Sequence, residues 1–233
     1  MREAVVLLSG GLDSSTLLHE LLADGYDTVA LSVFYGQRHA WELKAADAIA
    51  RAADVPQVKV DLGAALRPVF ADSNSSQVGG QTSVPEGHYA EDNMAITVVP
   101  NRNLLLLAVA GAFAASRGAA VIAYAAHAGD HAQYPDCRPE FISSCAKTLH
   151  LATGVVLYAP FQALTKAEIV QRGNSLRVPF GLTWSCYTEG PIHCGRCGTC
   201  VERAEAFFLA QVPDPTEYID SDYWKTVSRA PLA

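Results

Sequence analysis

The chain carries no surplus of positive charge. Over 233 residues acidic side chains outnumber basic ones, for a net charge of −7 and a pI near 5.4. A protein that lives on a phosphate backbone usually shows a basic stripe, and none is visible, so no nucleic-acid partner is expected. Long apolar runs are missing as well. The longest, LLLLAVAGAFAA from Leu104 to Ala115, is too short to cross a bilayer, and Arg2-Glu3 leads directly into a strand pattern rather than a secretory signal. No membrane association is expected, and the reading is a soluble cytoplasmic protein. There is no internal repeat and no low-complexity tract. The common phosphate motifs G-x-x-x-x-G-K-[ST] and G-x-G-x-x-G are both absent.

What is present is a regular alternation. Half of the residues are apolar, enough for a sizeable core. Apolar runs at 4–8, 28–35, 57–61, 120–125 and 155–158 read as strands. Helical patterns at 14–23, 40–53, 103–117, 138–152 and 165–176 lie between and after them. Buried runs separated by helices predict an α/β fold with a five-stranded, mostly parallel, doubly wound sheet. Thr165 and Glu168 form a T-x-x-E capping box at the start of the fifth helix. The division expected is a nucleotide-binding α/β domain over 1–180 and a small metal-binding helical segment over 181–233. Residues 72–95 (DSNSSQVGGQTSVPEGHYAEDNMA) are polar and almost free of large apolar side chains. A loop of that length predicts a lid over a site, with disorder as the alternative.

The first strand ends in LLSGGLDSS, residues 7–15. Adjacent glycines permit a tight turn with N–H groups pointing inward. The helix that follows offers unpaired amides and the positive end of its dipole. Together these predict an anion site, most naturally for phosphate. Ser9, Ser14 and Ser15 add hydroxyls, and Asp13 is placed either to cap the helix or to help hold magnesium.

Four of six cysteines crowd into 186–200 as C-x7-C-x2-C-x2-C: Cys186, Cys194, Cys197 and Cys200. Four thiolates with glycines between them match structural zinc and leave no open position for chemistry. An iron–sulfur cluster is the competing reading, and His193 is a possible substitute ligand. Cys200 is expected at the start of the last helix. Cys145 falls on an apolar helical stripe with Phe141, Ile142 and Leu149 and reads as core.

The SGGLDSS stretch resembles the PP-loop of the N-type ATP pyrophosphatases. FYGQRHAWEL (34–43), VPNRNLLLL (99–107), AHAGDHAQYPDCRPEF (126–141), LTKAEIV (164–170) and VPFGLTWSCY (178–187) follow in order, ahead of CGRCGTC. Over about residues 4–210 the set resembles the 7-cyano-7-deazaguanine synthase, or QueC, family. One departure is Asn101, where many relatives carry glycine. The resemblance implies a ligase that uses ATP, Mg2+ and structural Zn2+, and acts on 7-carboxy-7-deazaguanine and ammonia as a homodimer. The carboxylate and then the resulting amide would be adenylated, with AMP and pyrophosphate released each time, giving a nitrile.

The resemblance places Leu8, Ser9, Gly10, Gly11, Leu12, Asp13, Ser14, Val33, Gln37 and Arg38 around the nucleotide. Arg38, Arg102, Asp130 and Lys166 are the catalytic candidates. An arginine fork suits either a phosphate or a carboxylate. A guanine-like base edge calls for a carboxylate, and the candidates are Asp136 and Glu140, then Asp130. Arg138 would orient one of these and Tyr134 would stack on the ring. His39, His127 and His131 are further candidates near the site. Cys137 is expected to be pocket wall rather than nucleophile. Three rivals remain. One is a PP-loop tRNA-thiolating enzyme, which needs a persulfide-bearing cysteine and a basic surface. The second is an amide-forming ligase that stops after one ATP. The third is a zinc-stabilised nucleic-acid-binding module, which needs basic residues around the cysteines, where the segment offers only Arg196 and Arg203.

Overall fold

A computed structural model describes residues 2–38, 41–79, 82–188 and 190–229; His39 lies outside them. The chain runs β1 (Glu3–Leu7), α1 (Leu12–Ala23), β2 (Asp27–Phe34), α2 (Trp41–Ala52), β3 (Gln57–Asp61), α3 (Gly63–Leu66), α4 (Arg102–Arg117), β4 (Val121–Ala123), α5 (Pro139–Thr153), β5 (Val156–Tyr158), α6 (Lys166–Ser175), α7 (Gly198–Ala210) and α8 (Tyr223–Val227). The five strands form one sheet in the order β3-β2-β1-β4-β5, and every pairing is parallel.

Strand β1 shows why the sheet is covered on both faces. Side chains alternate across a strand. Ala4, Val6 and Leu8 enter a core with Leu17, Leu18 and Leu21 of α1, Ile169 and Val170 of α6, and Phe207 of α7. Val5 and Leu7 enter the opposite core with Leu107, Ala110 and Ala114 of α4 and Ile142 and Cys145 of α5. A strand buried on both faces needs an unbroken apolar run, and AVVLL at 4–8 supplies it.

The Thr165–Glu168 capping box is formed, with the Thr165 amide donating to Glu168 Oε2 at 2.7 Å. Two short helices, α3 and α8, carry too few residues to show a period. Cys200 sits in the first turn of α7, and α7 is followed by α8, so the expectation that Cys200 opens the last helix is corrected. Among the described residues no helix is long and apolar enough to cross a membrane.

With this strand order the chain winds outward from β1 through β2 to β3, then crosses back to β4 on the other side of β1 and continues to β5. The crevice at such a reversal, beyond the carboxyl ends of the strands, is where open α/β sheets bind ligands.

Candidate active site

The loop from β1 to α1 is held by its own serines. The Ser9 amide donates to Ser14 Oγ (3.2 Å), the Gly11 amide donates to Ser9 Oγ (3.2 Å), and Ser15 Oγ donates to the Gly11 carbonyl (2.7 Å). The Trp184 amide donates to the Gly10 carbonyl at 2.9 Å. Gly10 has φ +87°, and a Cβ there would collide with the Glu42 carbonyl oxygen and the Ala46 amide of α2. Only glycine lets the loop lie that close to α2. No side chain caps α1, which leaves its leading amides for an anion.

Below the loop lies a charged cluster. Lys166 Nζ, at the start of α6, is 2.7 Å from Asp13 Oδ2, 3.3 Å from Glu202 Oε2 and 3.1 Å from His127 Nε2. Burial works against the lysine's charge, but Asp13, Glu202 and Asp130 outweigh it and raise the pKa. His127 Nε2 is also 3.5 Å from Asp130 Oδ1, and the Tyr89 hydroxyl donates to that oxygen at 3.1 Å. Burial would raise the Asp130 pKa; the His127 and Lys166 charges and the Tyr89 hydrogen bond reverse this and hold it below its usual range. Asp13 Oδ1 is buried without a hydrogen-bond partner. An orphaned carboxylate oxygen beside a phosphate loop fits a magnesium ligand.

The far half of the cleft is aromatic. Tyr35, Tyr89, Tyr124, Tyr134 and Tyr187 line it together with Glu42 and Arg102. The Tyr134 hydroxyl is 2.7 Å from Thr97 Oγ1. The Arg102 guanidinium lies 5.7 Å from the Tyr134 ring centroid, and its Nε donates to Asn103 Oδ1 at 3.2 Å. Among the described residues no carboxylate forms an ion pair with Arg102. Burial pushes the Glu42 carboxyl up to about 7, and the Arg102 charge only partly opposes this. Cys137 is buried, receives a hydrogen bond from Asn103 Nδ2 (3.2 Å), and burial pushes its thiol up to about 12. A thiol in that state is a poor nucleophile.

The four clustered cysteines stand beside the cleft. Their sulfurs lie within 4.8 Å of one another, and Cys194 and Cys200 are 3.9 Å apart. Four sulfurs around one zinc at ~2.3 Å would be about 3.8 Å apart, so the set fits such an ion. Backbone amides of Cys194 and Thr188 point at Cys186 Sγ, and those of Arg196 and Cys197 at Cys194 Sγ, at 3.3–3.4 Å, which suits thiolates. Buried Arg203 ties α7 to the segment before the cluster, donating to Thr183 Oγ1 (2.8 Å), Ser185 Oγ (3.2 Å) and the Phe180 carbonyl (3.0 Å).

A family model described as "Queuosine biosynthesis protein QueC" matches residues 3–211. The chain belongs to the QueC family. A 7-cyano-7-deazaguanine synthase of Rhizobium meliloti is 50% identical over 226 residues, covering 95% of this chain and 94% of that protein. The synthase of Brucella ovis is 46% identical over 231 residues, covering 97% and 98%. Among solved structures, the fold resembles an NMN synthetase of Francisella tularensis, with TM-score 0.51, 15% identity, and coverage of 98% and 85%.

Against this QueC fold the residues expected from sequence divide into two groups. Leu8, Ser9, Gly11, Leu12, Asp13, Ser14, Val33, Gln37, Arg102, Asp130, Tyr134 and Lys166 line the cleft. Gly10 lies in the same loop, turned against α2. The others are elsewhere. Arg38 is exposed and donates to the Thr82 carbonyl at 2.8 Å, so it braces the 72–95 segment. Arg138 and Glu140 are exposed outside the cleft, with Arg138 Nε donating to the His131 carbonyl at 3.0 Å. Asp136 Oδ2 accepts the Asn103 amide at 2.9 Å and so stabilises the start of α4. Asn101, just before that helix, has φ +58°, a left-handed conformation that asparagine tolerates better than most residues and glycine adopts freely.

Sequence reasoning did not name Tyr35, Glu42, Tyr89, Tyr124, Trp184, Tyr187, Thr199 or Glu202 as cleft residues. The only available signal was position. Tyr35 and Tyr124 fall at the ends of the apolar runs 28–35 and 120–125 and directly follow strands β2 and β4, where a parallel sheet presents its site.

Proposed function

We propose that this chain converts 7-carboxy-7-deazaguanine and ammonia to 7-cyano-7-deazaguanine at the expense of two ATP. The observation that carries the reading is a single cleft at the sheet's reversal point. An uncapped helix and serine-braced loop open onto one half of it. An arginine with no carboxylate ion pair among the described residues, ringed by tyrosines, faces the other half. Such an arginine is matched to an anionic substrate group, and the relatives' shared name supplies the identity of that group.

A carboxylate at neutral pH is a poor electrophile, and transfer of AMP to its oxygen makes that oxygen a good leaving group. In this reading the amides of Leu12 to Ser14 and the Ser9 and Ser14 hydroxyls hold the β,γ-pyrophosphate. Val33 meets adenine through its backbone and Gln37 stands beside it. Asp13 would hold Mg2+, which supplies charge neutralisation on the phosphates. Lys166 keeps Asp13 and Glu202 in place and stands ready to meet negative charge building on the phosphates. Arg102 binds the substrate carboxylate and Tyr134 stacks on the ring. Attack by ammonia displaces AMP and leaves an amide; a second adenylation at the amide oxygen and loss of AMP leave the nitrile. The protein contributes positioning and charge stabilisation.

Cys186, Cys194, Cys197 and Cys200 hold structural zinc, which fixes the start of α7 and with it Thr199 and Glu202. We further assign the chain to the cytoplasm as a homodimer without nucleic acid or membrane.

The test is incubation of the purified protein with 7-carboxy-7-deazaguanine, an ammonium salt and Mg-ATP. Two AMP and two pyrophosphate per nitrile are expected. Release of ADP, or an amide that never loses its oxygen, overturns the reading, the second in favour of a ligase that stops after one ATP. Metal analysis of the same protein should return one zinc per chain; iron with sulfide overturns that assignment.

A further inference from the structure

Four carboxylates line the cleft among the described residues: Asp13, Glu42, Asp130 and Glu202. Three already face cations. Asp13 and Glu202 share Lys166, whose charge also acts on Asp130. Glu42 has no ion pair among the described residues. It is half-buried in the cleft wall near the start of α2, and its own carbonyl oxygen lies against Gly10 of the phosphate loop. The groups that act on its carboxyl are Arg102 of α4, Tyr35 beyond β2 and Tyr187, which directly follows Cys186. This is the wall where Arg102 waits for the substrate carboxylate.

Resting on the reading above, we propose that Glu42 is the base that removes protons from nitrogen in both halves of the reaction. Ammonia reaches the enzyme at neutral pH mainly as ammonium, which has no lone pair and cannot attack. A carboxylate without a cation of its own attracts ammonium and takes one proton, freeing the lone pair. Glu42 passes that proton to solvent. Nitrogen then bonds to the acyl carbon of the adenylate, the carbon–oxygen bond to AMP breaks with its electron pair left on the AMP phosphate oxygen, and Glu42 takes the second proton to give the amide. In the other half, ATP transfers AMP to the amide oxygen with release of pyrophosphate. Glu42 takes the nitrogen's two protons in turn, passing the first to solvent. The carbon–oxygen bond to AMP breaks with its electron pair left on the AMP phosphate oxygen, which forms the carbon–nitrogen triple bond. Both halves need a base on the nitrogen side, and both nitrogens occupy the same place.

Two further observations agree. Burial leaves the Glu42 carboxyl at about 7, where a general base works best near neutrality. In addition, the substrate carboxylate sits on the five-membered ring, away from the two N–H groups of the base edge. A carboxylate near the Arg102 side therefore faces the reacting carbon rather than that edge.

The experiment is single-turnover kinetics of Glu42→Gln with Mg-ATP. With 7-carboxy-7-deazaguanine and no ammonium, the variant should release pyrophosphate at close to the wild-type rate. With ammonium added, amide formation should fall by about 100-fold or more, the usual size of a general-base contribution. Nitrile formation from the supplied amide should fall by a similar factor. Hydroxylamine, which is already uncharged at neutral pH, should restore much of the variant's acyl transfer relative to wild type.

Wild-type amide formation by Glu42→Gln overturns the proposal. So does a defect as large with hydroxylamine as with ammonium, because that marks a packing role. Should the glutamine variant lose pyrophosphate release as well, Glu42→Asp decides: recovered amide formation with the same pH limb supports a base, and none overturns it. Wild-type protein that makes no pyrophosphate from the acid removes the proposed function itself, a result distinct from all of these.

Discussion

The two halves of the cleft are built in opposite ways. The phosphate half comes from one short stretch, Ser9 to Ser15, whose serines hydrogen-bond to one another and to the loop's own backbone. The tyrosine half is gathered from distant parts of the chain: Tyr35 after β2, Tyr89 from the 72–95 segment, Arg102 from α4, Tyr124 and Tyr134 around β4, and Tyr187 beside the cysteines. A local half can fold correctly only if its backbone is permitted. A dispersed half is correct only if the whole sheet and the cysteine cluster are in place. The two should therefore fail differently.

The largest effect is expected at Gly10. A valine there must displace the α2 backbone, because its Cβ overlaps the Glu42 carbonyl and the φ of +87° disfavours any side chain. Gly10→Val should cost about 3 kcal/mol or more in urea unfolding and abolish pyrophosphate release. Gly11 has φ −75°, so Gly11→Ala should cost about 1 kcal/mol or less. Equal losses at the two positions would show that glycine is needed for something other than this close approach.

Next comes the metal. Cys194→Ser, or a strong chelator, should lower stability by roughly 3 kcal/mol or more, read as a fall in Tm. It should impair binding of the deazaguanine more than binding of ATP. The reason is that Glu86 pairs with Cys197 across a backbone bridge and the Gly87 amide donates to the Arg196 carbonyl, so the cysteine loop anchors the stretch that carries Tyr89. Equal weakening of both ligands would dissolve the distinction between the halves.

Arg102→Lys separates them chemically. A lysine keeps the charge but not the planar fork, so kcat/KM for the carboxylate substrate should drop about 100-fold, while the KM for ATP changes about 3-fold or less. A matching loss for ATP would move Arg102 into the phosphate half.

A pH effect on stability is smaller. The Glu42 carboxyl is raised to about 7 in the fold from an ordinary value of 4.5, so between these limits the folded protein binds more protons than the unfolded chain. Its stability contribution is complete below the unfolded value and is lost as pH rises through 7, up to about 3 kcal/mol. Denaturant unfolding from pH 4.5 to 7.5 should show this decline, and Glu42→Gln should remove it; an unchanged profile in the variant would locate the effect elsewhere. The smallest effect is expected for Cys137→Ala, which should keep turnover within about 10-fold, because adenylation needs no thiol nucleophile and this one is pinned by Asn103.

Legibility followed the same divide. The run at 4–8 announces a strand because residues buried on both faces leave no room for polar side chains, whereas QVKVD at 57–61 reads by alternation, since β3 lies at the sheet edge with Lys59 and Asp61 exposed. The Thr165–Glu168 box was readable because both partners lie within one turn. By contrast, Asp136 and Glu140 suggested a base-reading pair from their chemistry alone. Their placement is set by where α5 starts, and it turns Asp136 onto the Asn103 amide and Glu140 to solvent. Arg38 and Arg102 look equivalent as letters; one braces a surface segment and the other stands in the cleft.

The sequence alone determined the strands and long helices, the phosphate loop, the four-cysteine set and membership of the QueC family, because each depends on residues close together or on a pattern of burial repeated along the chain. Tertiary structure alone decided which tyrosines share a wall, that Arg102 rather than Arg38 meets the cleft, and that Glu42 lines that cleft with no ion pair among the described residues. Those facts depend on contacts between segments tens of residues apart, and no local rule of spacing encodes them.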